Sequence, residues 1–229
     1  LPKPRREAER SPRPAERPLP PLYVVLDVEA CARRGIDPVT FCRACLEGGA
    51  RLIQVRAKAL AAGPFLRLLD TVVALAAPVR ATIVVNDRAD LALAAGAGGV
   101  HVGQDDLPAA AVRSLLGPDA LVGWSTHSRA QAEAAATTPV SYVAIGPVYA
   151  TGTKETGYDA VGLALVAEVR QVVPAHLPVV AIGGITLDQA AAVLDAGADS
   201  VAVIADLLTD DPAARVRAYL DRLTRPRLV

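Results

Sequence analysis

Aromatic side chains are scarce in this chain: five Tyr, two Phe and one Trp among 229 residues. That is too few to build the stacking platforms on which single-stranded nucleic acids lie. Charge of one sign is missing as well. Lys and Arg together number 24, Asp and Glu also 24, so the formal net charge is zero. A nucleic-acid binder or a general binder of anionic surfaces carries a basic excess, which is absent here. No apolar run continues unbroken for about 18 residues, the length a membrane-spanning helix needs. With 52% hydrophobic residues the chain has ample material for a core. The expectation is a soluble protein without nucleic-acid or membrane partners.

Cysteine is limited to Cys31, Cys42 and Cys45. The last two have Cys-x-x-Cys spacing, but Phe41, Cys42, Cys45 and Leu46 form an apolar stripe at helical period. Asp37-Pro38 marks the helix start and Gly48-Gly49 its stop. No second cysteine pair or nearby histidine completes a tetrahedral metal site. The three residues read as buried thiols and fit a reducing cytoplasm.

Residues 1–20 hold six prolines and five arginines and cannot contribute to a core. They are expected to be a disordered tail, without the apolar stretch of a secretory signal. From residue 21 to 229 short β-branched runs alternate with Ala/Leu-rich stretches of helical period. The strand candidates are 22–28, 51–57, 82–86, 99–103, 121–125, 142–148, 179–183 and 200–205. Helical stretches include 65–76, 129–136, 161–172, 187–196 and 212–223. Ser128, Thr186 and Asp211-Pro212 stand at helix starts. Eight nearly continuous apolar strands separated by helices indicate a single (β/α)8 barrel. An open doubly wound sheet is the competitor, but it would rarely carry polar motifs after almost every strand.

Polar motifs do follow almost every strand. Gln54, Arg56 and Lys58 alternate at the end of the second strand, so their side chains leave on one side as a cradle for a polyanion. Asp87 follows strand three and Asp106 strand four. Backed by Asn86 and Gln104, two such carboxylates suit an oxygen-ligated Mg2+ completed by water and phosphate. Thr151-Gly152-Thr153-Lys154 follows strand six and reads as a phosphate nest able to close over a ligand. Gly183-Gly184 ends strand seven and Ile204-Ala205 ends strand eight, where barrels commonly seat a phosphate on backbone N–H groups. Ser125 and His127 end strand five. No acid at a recognisable spacing and no Gly-x-Ser-x-Gly elbow accompany them, so Ser125 reads as a hydrogen-bond donor to substrate. His101 reads as a satisfied barrel residue and His176 as a surface one. Trp124 is expected to face the helices.

Taken together, Gln54-x-Arg56-x-Lys58, Asn86-Asp87, His101-Val102-Gly103-Gln104 with Asp106, Gly123 to His127, Gly146-Pro147 with Thr151-x-Thr153-Lys154, and Gly183-Gly184-Ile185-Thr186 resemble the thiamine-phosphate synthase family. The motifs occur in the family's order over residues 22–208. The resemblance implies a (β/α)8 transferase that joins hydroxymethylpyrimidine pyrophosphate to hydroxyethylthiazole phosphate, or its carboxylated form, releasing pyrophosphate. It assigns Gln54, Arg56, Lys58, Asn86, Ser125 and Lys154 to the pyrimidine pyrophosphate, with Arg56, Lys58, Ser125 and Lys154 catalytic. It assigns Asp87 and Asp106 to Mg2+, and Thr151, Thr153, Gly184, Ile204 and Ala205 to the thiazole phosphate. The family usually has Ser at position 205 and a smaller residue at 124. Two other readings stay open: a thiazole tautomerase using His127 as acid and base, and a noncatalytic sensor of thiamine precursors. Homo-oligomerisation is left open too.

Overall fold

A computed structural model describes residues 18–150 and 160–224. The apolar runs form eight short strands: β1 (Leu22–Asp27), β2 (Leu52–Arg56), β3 (Thr82–Asn86), β4 (Gly99–Val102), β5 (Leu121–Thr126), β6 (Tyr142–Ile145), β7 (Val179–Ile182) and β8 (Ser200–Val203). All neighbours pair in parallel, and β8 pairs with β1 to close the barrel in sequence order. Outside lie α1 (Val28–Arg33), α2 (Pro38–Glu47), α3 (Ala62–Ala76), α4 (Ala89–Ala94), α5 (Ala109–Leu116), α6 (Arg129–Ala135), α7 (Gly162–Val172), α8 (Leu187–Asp195) and α9 (Pro212–Thr224). The expected (β/α)8 barrel is the observed fold.

Period-two alternation divides the apolar residues into two cores. One set, including Leu22, Val24, Ile53, Val55, Val85, Val100 and Val143, points outward and packs under the helices. The other, including Tyr23, Val25, Leu52, Val84, Leu121, Tyr142, Ala144, Val180 and Ala202, fills the barrel. Trp124 belongs with the outer layer, as its register on β5 requires. Its indole Nε1 is buried without a hydrogen-bond partner among the described residues.

The helix starts are where the side chains place them. Asp37 accepts from Thr40 N at 2.7 Å to open α2, and Ser128 accepts from Gln131 N at 3.2 Å to open α6. Thr186 and Gln189 form a reciprocal capping box on α8, and Asp211 accepts from Ala214 N at 2.8 Å on α9. Strand ends shift by one to three residues except at β3, which runs over 82–86 as expected. β1 stops at Asp27 because its carboxylate caps α1 through Ala30 N at 2.7 Å. β6 stops at Ile145, ahead of Gly146-Pro147. All three cysteines are buried and free. Burial pushes the Cys31 thiol up to about 11 and the Cys42 thiol up to about 12, which keeps both protonated and unreactive.

Two features depart from the sequence reading. The stretch Ala62–Val79, α3 with the 3-10 turn after it, is apolar and long enough to cross a membrane by length and composition. Arg67 and Asp70 interrupt it, which is why no unbroken run was visible. Its Phe65, Leu69, Val72 and Ala76 are buried against the barrel, as in an ordinary outer helix. The second concerns the expected tail. Residues 1–17 lie outside the described residues, but Leu19 packs against the inner core, and Pro21 O accepts from Val201 N at 2.9 Å. The final residues of that segment therefore help close the barrel floor, because inner side chains at the N-terminal end need a lid against water. Leu19→Ala is expected to lower the melting temperature by about 2–4 °C, the effect of roughly 1 kcal/mol of lost apolar burial in a domain of this size. An unchanged thermal melt would show that the contact contributes nothing.

Candidate active site

The carboxyl ends of the strands open into a cavity of about 280 Å³. Gln54, Arg56, Asn86, Ser125, Gly184, Ile204 and Ala205 all line it, so seven of the residues singled out from sequence converge there. Gln54 and Arg56 share a side because two residues on one strand must. Arg56 Nη1 donates to Asp27 at 2.5 Å across the β1–β2 pair, where Asp27 and Arg56 are register partners. Glu29 approaches the same nitrogen at 3.8 Å. Arg56 Nε is buried with no partner among the described residues. A buried unpartnered guanidinium N–H beside a cavity calls for an acceptor such as a phosphate oxygen.

Lys58, Asp87 and Asp106 are not among the residues that line this cavity, although Asp87 directly follows Asn86, which does. The Lys58 ammonium pairs with the Asp87 carboxylate. Asp87 has φ of +61°, a left-handed backbone that Asp tolerates better than most residues. Its N–H donates to His101 O at 2.8 Å, tying the turn to β4. Asp87 does not cap α4, whose first flanking residue is Arg88 and has no side-chain cap. Burial holds the Asp87 carboxyl above its ordinary value; the bond from Lys58 works against this and neighbouring Asp106 adds to it. Asp106 in turn accepts from Gly103 N at 2.8 Å. Two crowded carboxylates with one ammonium as counter-charge fit a divalent cation. No group of three or more His, Cys, Asp or Glu ligands occurs among the described residues, so water and substrate oxygens would complete its shell. Gln104 is not part of that set: its Nε2 donates to Ser125 O at 2.6 Å and ties the β4 and β5 loops together.

His101 is the satisfied barrel residue that the sequence indicated, whereas the tyrosines were not singled out. His101 Nε2 lies 2.7 Å from Ser125 Oγ and its Nδ1 3.0 Å from Tyr142 Oη, and the imidazole stacks on the Tyr142 ring. Tyr142 Oη is 2.8 Å from Tyr23 Oη, which accepts from Gln54 Nε2 at 3.1 Å. Burial raises both phenol pKa values, so these hydroxyls stay neutral. The available signal was parity: Tyr23, Gln54, His101 and Tyr142 each fall on the inward register. His127 also lines the cavity, with Nδ1–H donating to Gly146 O at 2.6 Å.

The opposite wall carries the expected phosphate residues. Gly183 and Gly184 have φ of +106° and +64°, and a Cβ at Gly184 would sit 2.6 Å from Ala150 O. Glycine is needed for the conformation and for the closeness of the β6 loop. Ala205 does not end β8, as the sequence reading has it, but opens a separate 3-10 turn, Ala205–Leu207, well before α9. The adjacent Asp206 carboxylate is saturated by Arg215, by Tyr219 Oη at 2.6 Å and by Leu187 N at 3.0 Å. Its charge therefore opposes a nearby phosphate little. Thr151, Thr153 and Lys154 lie outside the described residues.

The Asp87 environment sets the sign of a pH effect. A carboxyl whose folded-state pKa is raised carries a cost when ionised, and acid relieves that cost as the pH falls through the raised value. Without divalent cations, Asp87→Asn is expected to melt at or above wild type at neutral pH. The difference should shrink toward about pH 4. Thermal melts across that range decide it: a wild type that is more stable at neutral pH and loses its lead in acid would mean the Lys58 pair dominates.

The family description of thiamine monophosphate synthase matches residues 22–207. A thiamine-phosphate synthase of Anaeromyxobacter dehalogenans is 50% identical over 204 residues, covering 87% of each chain. One from Koribacter versatilis is 43% identical and covers 90% of this chain and 96% of its own. Among solved structures, thiamine phosphate pyrophosphorylase from Pyrococcus furiosus is 31% identical, with a TM-score of 0.79 over 89% of this chain and 95% of that one. A match spanning nearly the whole barrel, site loops included, places this chain in the thiamine monophosphate synthase family.

Proposed function

We propose that this enzyme, a transferase of the thiamine-phosphate synthase type, binds 4-amino-2-methyl-5-hydroxymethylpyrimidine pyrophosphate and hydroxyethylthiazole phosphate together in the strand-end cavity. The observation that carries the assignment is the gathering of Gln54, Arg56, Asn86 and Ser125 on one cavity, with a buried guanidinium N–H lacking a partner. Gln54 and Ser125 hold the pyrimidine ring. Arg56, Lys58 and Asn86 take the pyrophosphate. Gly184, Ile204 and Ala205 offer the opposite wall to the thiazole phosphate. Lys154, Thr151 and Thr153 join these sites on the strength of the family resemblance.

The carbon–oxygen bond between the pyrimidine methylene and pyrophosphate breaks, and its electron pair leaves with the pyrophosphate. The thiazole nitrogen then forms the new carbon–nitrogen bond. Arg56, Lys58 and Lys154 offset the charge that develops on the leaving group. An electron-rich aminopyrimidine stabilises the methylene cation, so no nucleophilic side chain is required. Val25, Ala144, Val180 and Ala202 wall the cavity with apolar surface that excludes water. Mg2+ held by Asp87 and Asp106 would add Lewis-acid neutralisation of the pyrophosphate oxygens. His127 lines the same cavity, but a tautomerase has no use for the Lys58–Asp87–Asp106 cluster, and a sensor has no need of metal carboxylates. The three buried free thiols accord with a cytoplasmic setting.

Pyrophosphate release by the purified protein, with both substrates and with or without Mg2+, tests the reading. Asp87→Ala and Asp106→Ala are each expected to remove most Mg2+-dependent turnover and to leave the far-UV circular dichroism unchanged, since both lie in loops. Mg2+ should raise the melting temperature of wild type but of neither variant. A near-wild-type rate at limiting Mg2+ in either one would sink the metal assignment.

The wall residue at 205 gives a second test. Ala205→Ser adds a hydroxyl donor at the exposed mouth. It is expected to lower the KM for thiazole phosphate about fivefold and leave that for the pyrimidine pyrophosphate unchanged. A shift in the pyrimidine constant instead would exchange the two phosphate sites.

A further inference from the structure

We propose that a hydrogen-bond relay through the barrel, Gln54–Tyr23–Tyr142–His101–Ser125, runs in one direction and presets the donor and acceptor pattern that recognises the aminopyrimidine edge. The inference rests on the assignment of Gln54 and Ser125 to the pyrimidine. Its direction follows from the amide. Gln54 Nε2 can only donate, so Tyr23 Oη accepts from it at 3.1 Å. Tyr23 is fully buried, and its own hydroxyl hydrogen has one acceptor within reach among the described residues, Tyr142 Oη at 2.8 Å. Tyr142, having accepted, donates to His101 Nδ1 at 3.0 Å. A neutral imidazole that accepts at Nδ1 carries its hydrogen on Nε2, and that N–H donates to Ser125 Oγ at 2.7 Å.

Two consequences reach the cavity. Ser125 Oγ is already accepting from His101, so its own hydrogen is released to donate to a ligand. Gln54, with Nε2 committed to Tyr23, presents Oε1 as an acceptor. An aminopyrimidine offers the complement: ring-nitrogen acceptors and an exocyclic N–H donor. Tyr23, Tyr142 and His101 are therefore positioning residues that act through Gln54 and Ser125.

Gly123 shows independently that room is kept for this relay. A Cβ there would lie 2.1 Å from Tyr142 Cζ, 2.3 Å from its Oη and 2.5 Å from His101 Nδ1. No other residue at 123 could leave the Tyr142–His101 hydrogen bond in place.

The first test needs no substrate. In the wild-type protein labelled with 15N at its three histidines, imidazole nitrogen resonances separate protonated from bare ring nitrogens. His176→Gln and His127→Gln variants assign the His101 signals. The expected result is a neutral His101 with its hydrogen on Nε2. A hydrogen on Nδ1, or on both nitrogens at neutral pH, overturns the proposed direction. This readout is independent of turnover, so a wild type that released no pyrophosphate would count against the proposed function and leave the relay standing. The second test is kinetic. Tyr142→Phe keeps the ring and removes the link. It is expected to raise the KM for the pyrimidine pyrophosphate about five- to tenfold with little change for the thiazole phosphate. Ser125→Ala should then have a smaller effect in the Tyr142→Phe background than in wild type. Full additivity, or a change confined to the thiazole constant, would show that the tyrosine only fills space. If Tyr142→Phe does not fold, Tyr23→Phe cuts the same relay one link earlier and is read in the same way, with the tautomer measurement deciding the direction.

Discussion

Closure of eight parallel strands, β1 through β8, into one barrel is the constraint on which everything else in this protein depends. Closure forces alternate residues of each strand inward, into a space bounded on all sides by backbone. Near the N-terminal floor that space is filled by Leu52, Val84 and Leu121, with Leu19 packed from below. Toward the other end the same register delivers Gln54, Arg56, Asn86 and Ser125, which a dry core would not tolerate without partners. On β2, β3 and β5 the change from apolar filling to polar lining divides floor from cavity, while β6, β7 and β8 stay apolar up to it. The tyrosine and histidine layer lies between them: Tyr23 and Tyr142 each supply packing volume and one hydroxyl, and His101 supplies two ring nitrogens.

Charge at the site is balanced pair by pair. Arg56 rests on Asp27, and Lys58 on Asp87, so neither cation is left uncompensated. The Arg56–Asp27 pair is well buried, at 15% and 1% side-chain exposure, and desolvation of both partners takes back much of its Coulomb attraction. Such a pair does little for stability but fixes where the guanidinium sits. Asp87, in a left-handed backbone turn beside a second carboxylate, is an unfavourable arrangement for folding.

The wall opposite uses shape where this one uses charge. Gly183 and Gly184 let the β6 loop come close to β7, where Tyr149 N donates to Gly183 O at 2.9 Å. The two loops are thereby fixed against each other, while the neighbouring Asp206 is neutralised by Arg215 and Tyr219.

Much of this was legible in the sequence, because the signals are local. Continuous apolar runs encode parallel strands covered on both faces. Asp37, Ser128, Thr186 and Asp211 encode helix starts through hydrogen bonds that span three residues, and all four form. Alternation along β2 put Gln54 and Arg56 on one side, where the cavity has them. The strand ends were less legible: β1 and β6 terminate where Asp27 and Gly146-Pro147 intervene, and a hydrophobicity pattern does not register a cap. Long-range pairings were not legible at all. Asp27 meets Arg56 29 residues away, Tyr23 meets Tyr142 119 residues away, and Gln104 bonds the backbone of Ser125 instead of backing the carboxylates. Such contacts depend on barrel closure and strand register, which no short window of sequence contains. The sequence by itself determined which residues could face inward. Only the tertiary structure decided which of them meet, because distance across a closed barrel is set by all eight strands at once.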